Sequence, residues 1–400
     1  MEGNFKSGGA FVLTAVGAAV GLGNVFRFPA LACLHGGGFV AAYLLLAILL
    51  GLPLFLSEVA LGRRLGGAEA FGRGRGVSVT GRLCGANAFV IMTAYLLLTS
   101  LVASSAAGSV GGIGLSKEAL PLRILFFLLV FCLAVWLFLR GKISGAVSTA
   151  GVALSCTAVF LLALCFLFSD PVGLLTVFKI RWEAFLKVSF WRDLVGQVFF
   201  SLSVMTGVLT VFGERLGERA NLPLCGLGVV LTDFAVSLAA TFIYAGVRGD
   251  KSGLLSAFQV YPAAFKEVFG GLGDFAAFVF FGSLFLLCVD SVLAYMQSVF
   301  SLLAGGRVGR FAPLLFASCL VGVALALEID LFALTFLDST IIPLFTLLVG
   351  VFEGLAVSKS VKEGLLLSGR SKGLTLSLRL FAALLLPACL ISLIILEIFR

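Results

Sequence analysis

Residues 17–29 read GAAVGLGNVFRFP, and a continuous lipid-facing helix is not made from such a stretch. Gly17, Gly21 and Gly23 each cost roughly 1 kcal/mol in a helix interior, and Arg27 costs at least about 2.5 kcal/mol at the bilayer centre. Pro29 then withdraws a backbone donor. The flanks nevertheless have the composition of a membrane span, since residues 11–16 read FVLTAV and no Asp, Glu, Lys or Arg occurs from 28 to 57. The span is therefore expected to be broken near its middle, with Arg27 facing water or an acid. A second interruption, FSLSVMTG at residues 200–207, lies inside another charge-free window. Non-helical backbone at that depth survives only where protein or a cavity surrounds it.

Outward from these two stretches, the 400 residues are 60% apolar and 12% charged, against about 45–50% and 25% in soluble domains. That excludes a soluble globular enzyme. The windows between Arg27 and Glu58, Arg82 and Lys117, Lys142 and Asp170, and Asp193 and Glu214 are each long enough to cross a bilayer. Allowing single buried acids gives eleven spans, starting near residues 10, 38, 85, 122, 145, 190, 222, 274, 310, 331 and 376. The first is no cleaved signal peptide, because only Lys6 precedes a full-length apolar core and no small-residue cleavage pattern follows. With the N-terminus in the cytoplasm, inner segments hold 17 Lys and Arg and outer segments 10. This charge asymmetry sets the orientation of a multi-pass protein of the plasma (bacterial inner) membrane and puts the C-terminus outside.

The basic residues sit in short loops, so the lipid bilayer and not nucleic acid is the expected partner. Nine cysteines without a CxxC read as packing residues rather than a disulfide or metal framework. Residues 253–265, GLLSAFQVYPAAF, are apolar yet too interrupted to span, and are read as a helical hairpin over the outer face. No short-period repeat is visible, and 1–400 reads as one membrane domain.

Asp233, Asp290 and Asp338 lie within spans 7, 8 and 10, and Glu58 late in span 2. Intramembrane acids are functional by default because burying them unpaired is costly. Carboxylates beside hydroxyls and freed backbone carbonyls supply the hard oxygens that a sodium ion takes. Two interrupted spans, five apart, point to two related halves and to a midplane site between them.

GAAVGLGNVFRFP, followed by HGGGF at 35–39 and GLPLFLSEVALGRR at 51–64, resembles the opening signature of the neurotransmitter:sodium symporter family, whose fold is named after the leucine transporter LeuT. The likeness continues through GQVFFSLSVMTG at 196–207, GLLSAFQVYPAAF, VDS at 289–291 and FLDS at 336–339. It implies an all-α membrane protein of 11 helices with a 5+5 inverted repeat and broken helices 1 and 6. The repeats run over about 8–169 and 188–355, with an extra helix at about 375–399. The implied activity is sodium-coupled import of a neutral amino acid, hydrophobic or aromatic, by alternating access. A binding-only sensor or a leaky channel on the same fold is the second reading. An intramembrane enzyme using Asp233 and Asp290 lacks supporting chemistry, since the one histidine, His35, reads as a turn or cap residue of the outer glycine-rich stretch and neither HExxH nor a nucleophile elbow occurs.

By position, the resemblance implies a first sodium site from the carbonyl of Ala19 and the side chains of Asn24, Ser201 and Asp233. The second takes the carbonyls of Gly17, Val20 and Leu287 and the side chains of Asp290 and Ser291. Asp233 replaces an amide of LeuT, and Ser237 stands where LeuT has a carboxylate, so Asp233 is expected to supply the charge that chloride supplies in animal relatives. Backbone N–H groups of Leu22 and Gly23, with the Tyr95 hydroxyl, would hold the substrate carboxylate, and Ser201 counts among the substrate-binding residues as well as the sodium ligands. Gly21 stands where monoamine transporters carry an aspartate, which argues for an amino acid. Ile91, Phe200, Ser203, Thr206, Ser291 and Tyr295 would line the side-chain pocket, with Thr206 replacing a bulky aromatic. Arg27 and Asp338 would form the outer gate. The usual inner Arg/Asp pair is missing, Glu2 and Gly305 occupying those positions, so inner closure uses other contacts, with Lys6 or Arg215 as candidates, or is looser. The twelfth helix is also missing, which points to a monomer or a weak homodimer.

Overall fold

The computed structural model describes residues 15–16, 21–65, 75–111, 120–140, 160, 179–214, 216, 221–246, 254–328 and 331–362. Span 5 apart from Phe160, span 11, the stretch 66–74, and Gly17, Ala19 and Val20 lie outside the described residues, as do Glu2, Lys6 and Arg215.

Helix α1 is a wide turn, Gly23–Arg27, continued by Phe28–His35. Because Pro29 has no N–H, the Val25 carbonyl four residues back loses its helical donor. The Tyr261 hydroxyl takes that acceptor at 2.5 Å. Gly36, at φ 82°, closes α1. A Cβ there would lie 2.8 Å from the Lys179 carbonyl, so only glycine makes this turn beside the incoming strap. The chain passes at once into α2, which joins Gly37–Leu46, Ala47–Gly51 and Leu52–Leu65. Helices α3, Arg75–Gly111, and α4, Leu120–Leu139, follow. A tight turn, Trp182–Leu186, leads into α5, Val188–Ser201, and after an irregular stretch comes α6, Val208–Glu214. The remaining helices are α7, Leu222–Gly246; α8, Ala257–Phe269; α9, Gly273–Leu302; and α10, Val308–Leu327. Last is α11, built from Phe332–Phe336, Leu337–Ile341 and Ile342–Lys362.

Among the described residues seven stretches are long and apolar enough to cross a membrane, beginning at Gly37, Val79, Leu120, Leu222, Ala257, Val308 and Phe332. The largest departure from expectation is span 3, whose helix begins at Arg75, ten residues before position 85. A nucleated helix extends at little cost, so it need not stop where the apolar run stops. The outer loop also differs from the expected hairpin: it forms the single helix α8, preceded by a short turn at Leu254–Ser256, and it folds back on the transmembrane helix α9. Gly270–Leu272 make the bend, and α9 itself serves as the second arm.

Polarity is arranged for lipid. Leu45, Leu129, Leu231, Phe278 and Phe316 are exposed, while Asn24, Glu58, Asn87, Gln197 and Asp233 are wholly buried. Helices α3 and α9 pack antiparallel over much of their length, Gly85 meeting Leu303 at one end and Tyr95 meeting Tyr295 further along. Helices α2 and α6 approach through glycine on both sides: a Cβ at Gly62 would overlap the Thr210 carbonyl, and one at Gly213 the Val59 carbonyl. Small residues permit such backbone contact where lipid offers no hydrophobic drive for helix association.

Candidate substrate and ion site

The site begins at the interruption between α5 and α6. Ser203, Met205 and Gly207 have φ of 53°, 65° and 72°, and the two non-glycine residues cost about 1 kcal/mol or more each in that region. Neighbouring side chains hold the conformation. The Met205 N–H donates to Glu58 Oε1 at 2.8 Å, and the Met205 carbonyl accepts from Asn87 Nδ2 at 3.1 Å. Thr206 Oγ1 donates to the Ser203 carbonyl at 2.7 Å, and Ser298 Oγ donates to the Thr206 carbonyl at 2.6 Å. The corresponding break in α1 is marked by the bend at Gly21, whose N–H donates to Asn24 Oδ1 at 3.0 Å.

Between the two breaks lies Asp233 of α7, fully buried. Its Oδ1 accepts from Ser201 Oγ at 2.6 Å and from Asn24 Nδ2 at 2.6 Å, and its Oδ2 accepts from the Tyr43 hydroxyl at 2.5 Å. Asn24 Nδ2 also reaches Ser201 Oγ at 3.0 Å, Ser237 Oγ at 2.8 Å and the Asp233 carbonyl at 3.3 Å. Four oxygens thus converge on one nitrogen, the surroundings that a small cation prefers. Asn24, Ser201 and Asp233, expected at the first sodium site, are brought together. Of the second set, Leu287 and Ser291 share a turn of α9, with Ser291 Oγ donating to the Leu287 carbonyl at 3.2 Å. Asp290 lies half-buried beside them.

Beside this cluster is an aromatic pocket. A Cβ on Gly21 would lie 3.2 Å from the Tyr95 hydroxyl and 3.6 Å from Ser291 Oγ. One on Gly23 would meet the Phe200 ring at 2.9 Å. The Tyr95 ring lies 5.7 Å from both Phe200 and Tyr295, and Tyr295 is hydrogen-bonded to Ser203. Leu22 and Ile91 are buried, Ile91 one helical turn from Tyr95. On the far side of Phe200, Arg27 Nε lies 3.5 Å from Asp338 Oδ2, and the guanidinium sits 5.8 Å from the Phe200 ring centroid. Gln197 clasps the same region, accepting from Arg27 at 3.0 Å and donating to the Gly23 carbonyl at 3.0 Å.

His35 lies at the end of its helix, as a turn or cap residue does. It closes α1, is buried against Phe39 and Phe190, and sets Nε2 3.0 Å from Asp193 Oδ2. That contact ties α1 to α5 across 158 positions of sequence. Asp193, Gln197 and Ser201 recur every four residues and so share one face of α5. This spacing is the signal from which the roles of Asp193 and Gln197 were legible.

Residues 2–93 match the model of the sodium:neurotransmitter symporter family. An uncharacterized sodium-dependent transporter, YhdH of Bacillus subtilis, is 27% identical, covering 88% of this chain and 87% of that one. The sodium- and chloride-dependent glycine transporter 2 of Xenopus laevis is 25% identical over 74% of this chain and 50% of its own. The crystal structure of MhsT in complex with L-phenylalanine superposes with a TM-score of 0.83 at 20% identity, covering 99% of both chains. The chain is thus similar to the sodium:neurotransmitter symporter family in its opening region, and to sodium-dependent transporters along most of its length. It is an all-α, multi-pass membrane protein of the LeuT fold and a sodium-coupled transporter, not an enzyme. The matched opening region contains the α1 break with Asn24 and Tyr43, two of the residues that hydrogen-bond to Asp233.

Proposed function

We propose that this symporter imports a neutral amino acid with a hydrophobic or aromatic side chain, driven by two sodium ions and without chloride. The observation that carries the substrate class is the surroundings of Gly21, whose nearest described side-chain neighbours are the hydroxyls of Tyr95 and Ser291. An amino acid's carboxylate takes the N–H groups of Leu22 and Gly23 and the Tyr95 hydroxyl. The preference for an apolar side chain is supported by hydroxyls already spent inside the protein: Thr206 on the Ser203 carbonyl, Ser291 on the Leu287 carbonyl and Ser203 with Tyr295. Satisfied donors ask nothing of the ligand. MhsT, with its bound L-phenylalanine, is consistent with this reading.

Sodium at the first site would take the place around which the oxygens of Asp233, Ser201 and Ser237 gather, with the Asn24 amide turning its oxygen inward. The second ion would bind Asp290, Ser291 and the Leu287 carbonyl, completed by Gly17 and Val20. Chloride independence is supported by the hydroxyls of Tyr43 and Ser201, both of which donate to Asp233. A fixed carboxylate thereby occupies the donors an anion would need. Arg27 and Asp338 act as the outer gate, and the two halves, each opening on a broken helix, exchange access around the site. The positive-inside asymmetry supports an N-terminus in the cytoplasm.

Two sodium ions falling through 100 mV supply about 4.6 kcal/mol, enough for over a thousandfold accumulation at about 1.4 kcal/mol per decade. The test is a thermal-shift or scintillation screen of the twenty amino acids on purified protein, in sodium or in choline. Stabilisation by a few apolar amino acids in sodium alone is expected; ligand binding that ignores sodium, or no amino-acid ligand at all, overturns the reading.

A further inference from the structure

Two acids act on Arg27. Its Nε lies 3.5 Å from Asp338 Oδ2 of α11, and its Nη1 donates to Gln197 of α5 at 3.0 Å. Asp193 lies one turn from Gln197 on the same face of α5, about 6 Å along the axis at 1.5 Å per residue. Between the two stands Gly196, where an added Cβ would lie 3.8 Å from Arg27 Nη2. The guanidinium therefore rests against the face of α5 that carries Asp193, with no side chain at 196 to separate them. Asp193 acts electrostatically on Arg27 and on Asp338 alike.

Both influences weaken the gate. Asp193 attracts Arg27 toward α5 and repels Asp338, and each effect works against the contact between Arg27 and Asp338. Burial preserves these effects, since Arg27, Asp193 and Asp338 are 6%, 8% and 9% exposed and buried charges are screened little by salt. Two neighbours moderate Asp193. His35 Nε2 sits 3.0 Å from its Oδ2, and Arg192 reaches its Oδ1 with Nε at 3.2 Å and Nη2 at 3.1 Å. A carboxylate accepts about four donors, so these contacts do not exhaust it.

We infer that Asp193 is a positioning residue of the outer gate, an acid that competes with Asp338 for Arg27 and sets how readily the gate opens, with His35 and Arg192 as its counterweights. The inference rests on the proposed role of Arg27 and Asp338 as that gate. It assigns Asp193 a purpose beyond the tie between α1 and α5. An amide at 193 keeps the shape of that tie and gives up the pull, so the gate stays shut for longer. Removing a counterweight strengthens the pull, and the gate opens more often. The two kinds of change act in opposite directions, whereas a purely structural tie, cut from either side, loosens in one direction only.

The experiment places a reporter thiol on the pocket wall with Ile91→Cys in the full chain. Intact cells in sodium, without amino acid, are treated with a membrane-impermeant maleimide, and peptide mass spectrometry follows the introduced thiol. Its labelling rate tracks the population open to the outside. Asp193→Asn should slow labelling about fivefold, the order expected of one partly screened charge. His35→Phe keeps a ring beside Phe39 and Phe190 and should speed labelling about threefold, the worth of one hydrogen bond. Arg192→Gln should speed it as well. His35→Phe combined with Asp193→Asn should label as slowly as Asp193→Asn alone. In an Asp338→Asn background, where Arg27 has no second acid to leave, Asp193→Asn should change nothing. Faster labelling in both Asp193→Asn and His35→Phe, or unchanged rates in all the folded variants, would overturn the competition and leave a structural tie. The Arg192 side chain is 20% exposed, so Arg192→Gln decides the matter if a buried variant fails to fold. If Asp338→Asn alone does not speed labelling, the gate reading falls and the competition falls with it. The labelling needs no amino acid, so a failed ligand screen counts against the substrate reading and leaves Asp193 to be decided by these signs.

Discussion

Replacing Asp233 with asparagine changes almost nothing in shape and removes one charge. The carboxylate is fully buried, and its Oδ1 lies 2.6 Å from Asn24 Nδ2, the atom on which the surrounding oxygens converge. A cation near that point, about 4 Å from the carboxylate's centre of charge, gains roughly 4 kcal/mol at an effective dielectric of 20. At about 1.4 kcal/mol per decade, Asp233→Asn should weaken sodium at the first site by several hundredfold or more. The loss should be partly reversible in a specific way. Tyr43, Ser201 and Ser237 would then present free hydroxyls beside the new amide, which is the donor set of an anion site. The assay is sodium-dependent binding of the best amino acid in chloride and in gluconate. The parent should be indifferent to the anion, whereas Asp233→Asn should bind measurably only in chloride. Wild-type sodium affinity for Asp233→Asn in gluconate would refute the assignment of Asp233 as the compensating charge.

Three further outcomes are expected. Gly21→Ala places a methyl 3.2 Å from the Tyr95 hydroxyl and should lower amino-acid affinity by about tenfold, a cost near 1.4 kcal/mol; Gly21→Asp, facing the substrate carboxylate, should abolish equilibrium binding. Arg27→Gln leaves Asp338 buried without its ion pair and should speed ligand dissociation by at least about tenfold, with Arg27→Lys intermediate because it keeps charge but loses the fork; equal off-rates in all three proteins would count against a gate. Tyr261→Phe orphans the Val25 carbonyl and should cost about 1–2 kcal/mol, read as a lower thermal midpoint, and Pro29→Ala should recover part of it by restoring the missing N–H.

Much of this arrangement was legible because membrane insertion makes exceptions conspicuous. Gly17 to Pro29 and Ser201 to Gly207 violate helix and lipid rules together, and such double violations mark broken spans. Asp233 stood out as an acid in an apolar run, and Asn24 and Ser201 followed from the family signature. The contacts that escaped notice involve residues ordinary in themselves. Asn87 is a single amide in helix α3, and nothing in its neighbourhood announces a partner 118 positions away. His35 sits in a glycine-rich turn that explains it adequately until Asp193 is seen beside it. Tyr261 belongs to a loop too broken to read as more than a hairpin, and its link to Pro29 requires knowing which carbonyl the proline frees. Local sequence carries the cost of a broken rule but not the identity of the distant group that offsets it.

The glycine contact between α2 and α6 has a mechanical consequence. Where Gly62 meets the Thr210 carbonyl and Gly213 meets the Val59 carbonyl, two backbones touch with no side chain between them to tilt or compress. Such a joint has no soft layer, and any displacement of one helix is delivered undamped to the other. Glu58, two turns or less from that joint on α2 and bonded to the Met205 N–H, makes the same connection at the break itself. Helices α2 and α6 therefore behave as one stiff lever whose fulcrum is the kinked chain around Met205, and force applied at either arm arrives at the pocket floor.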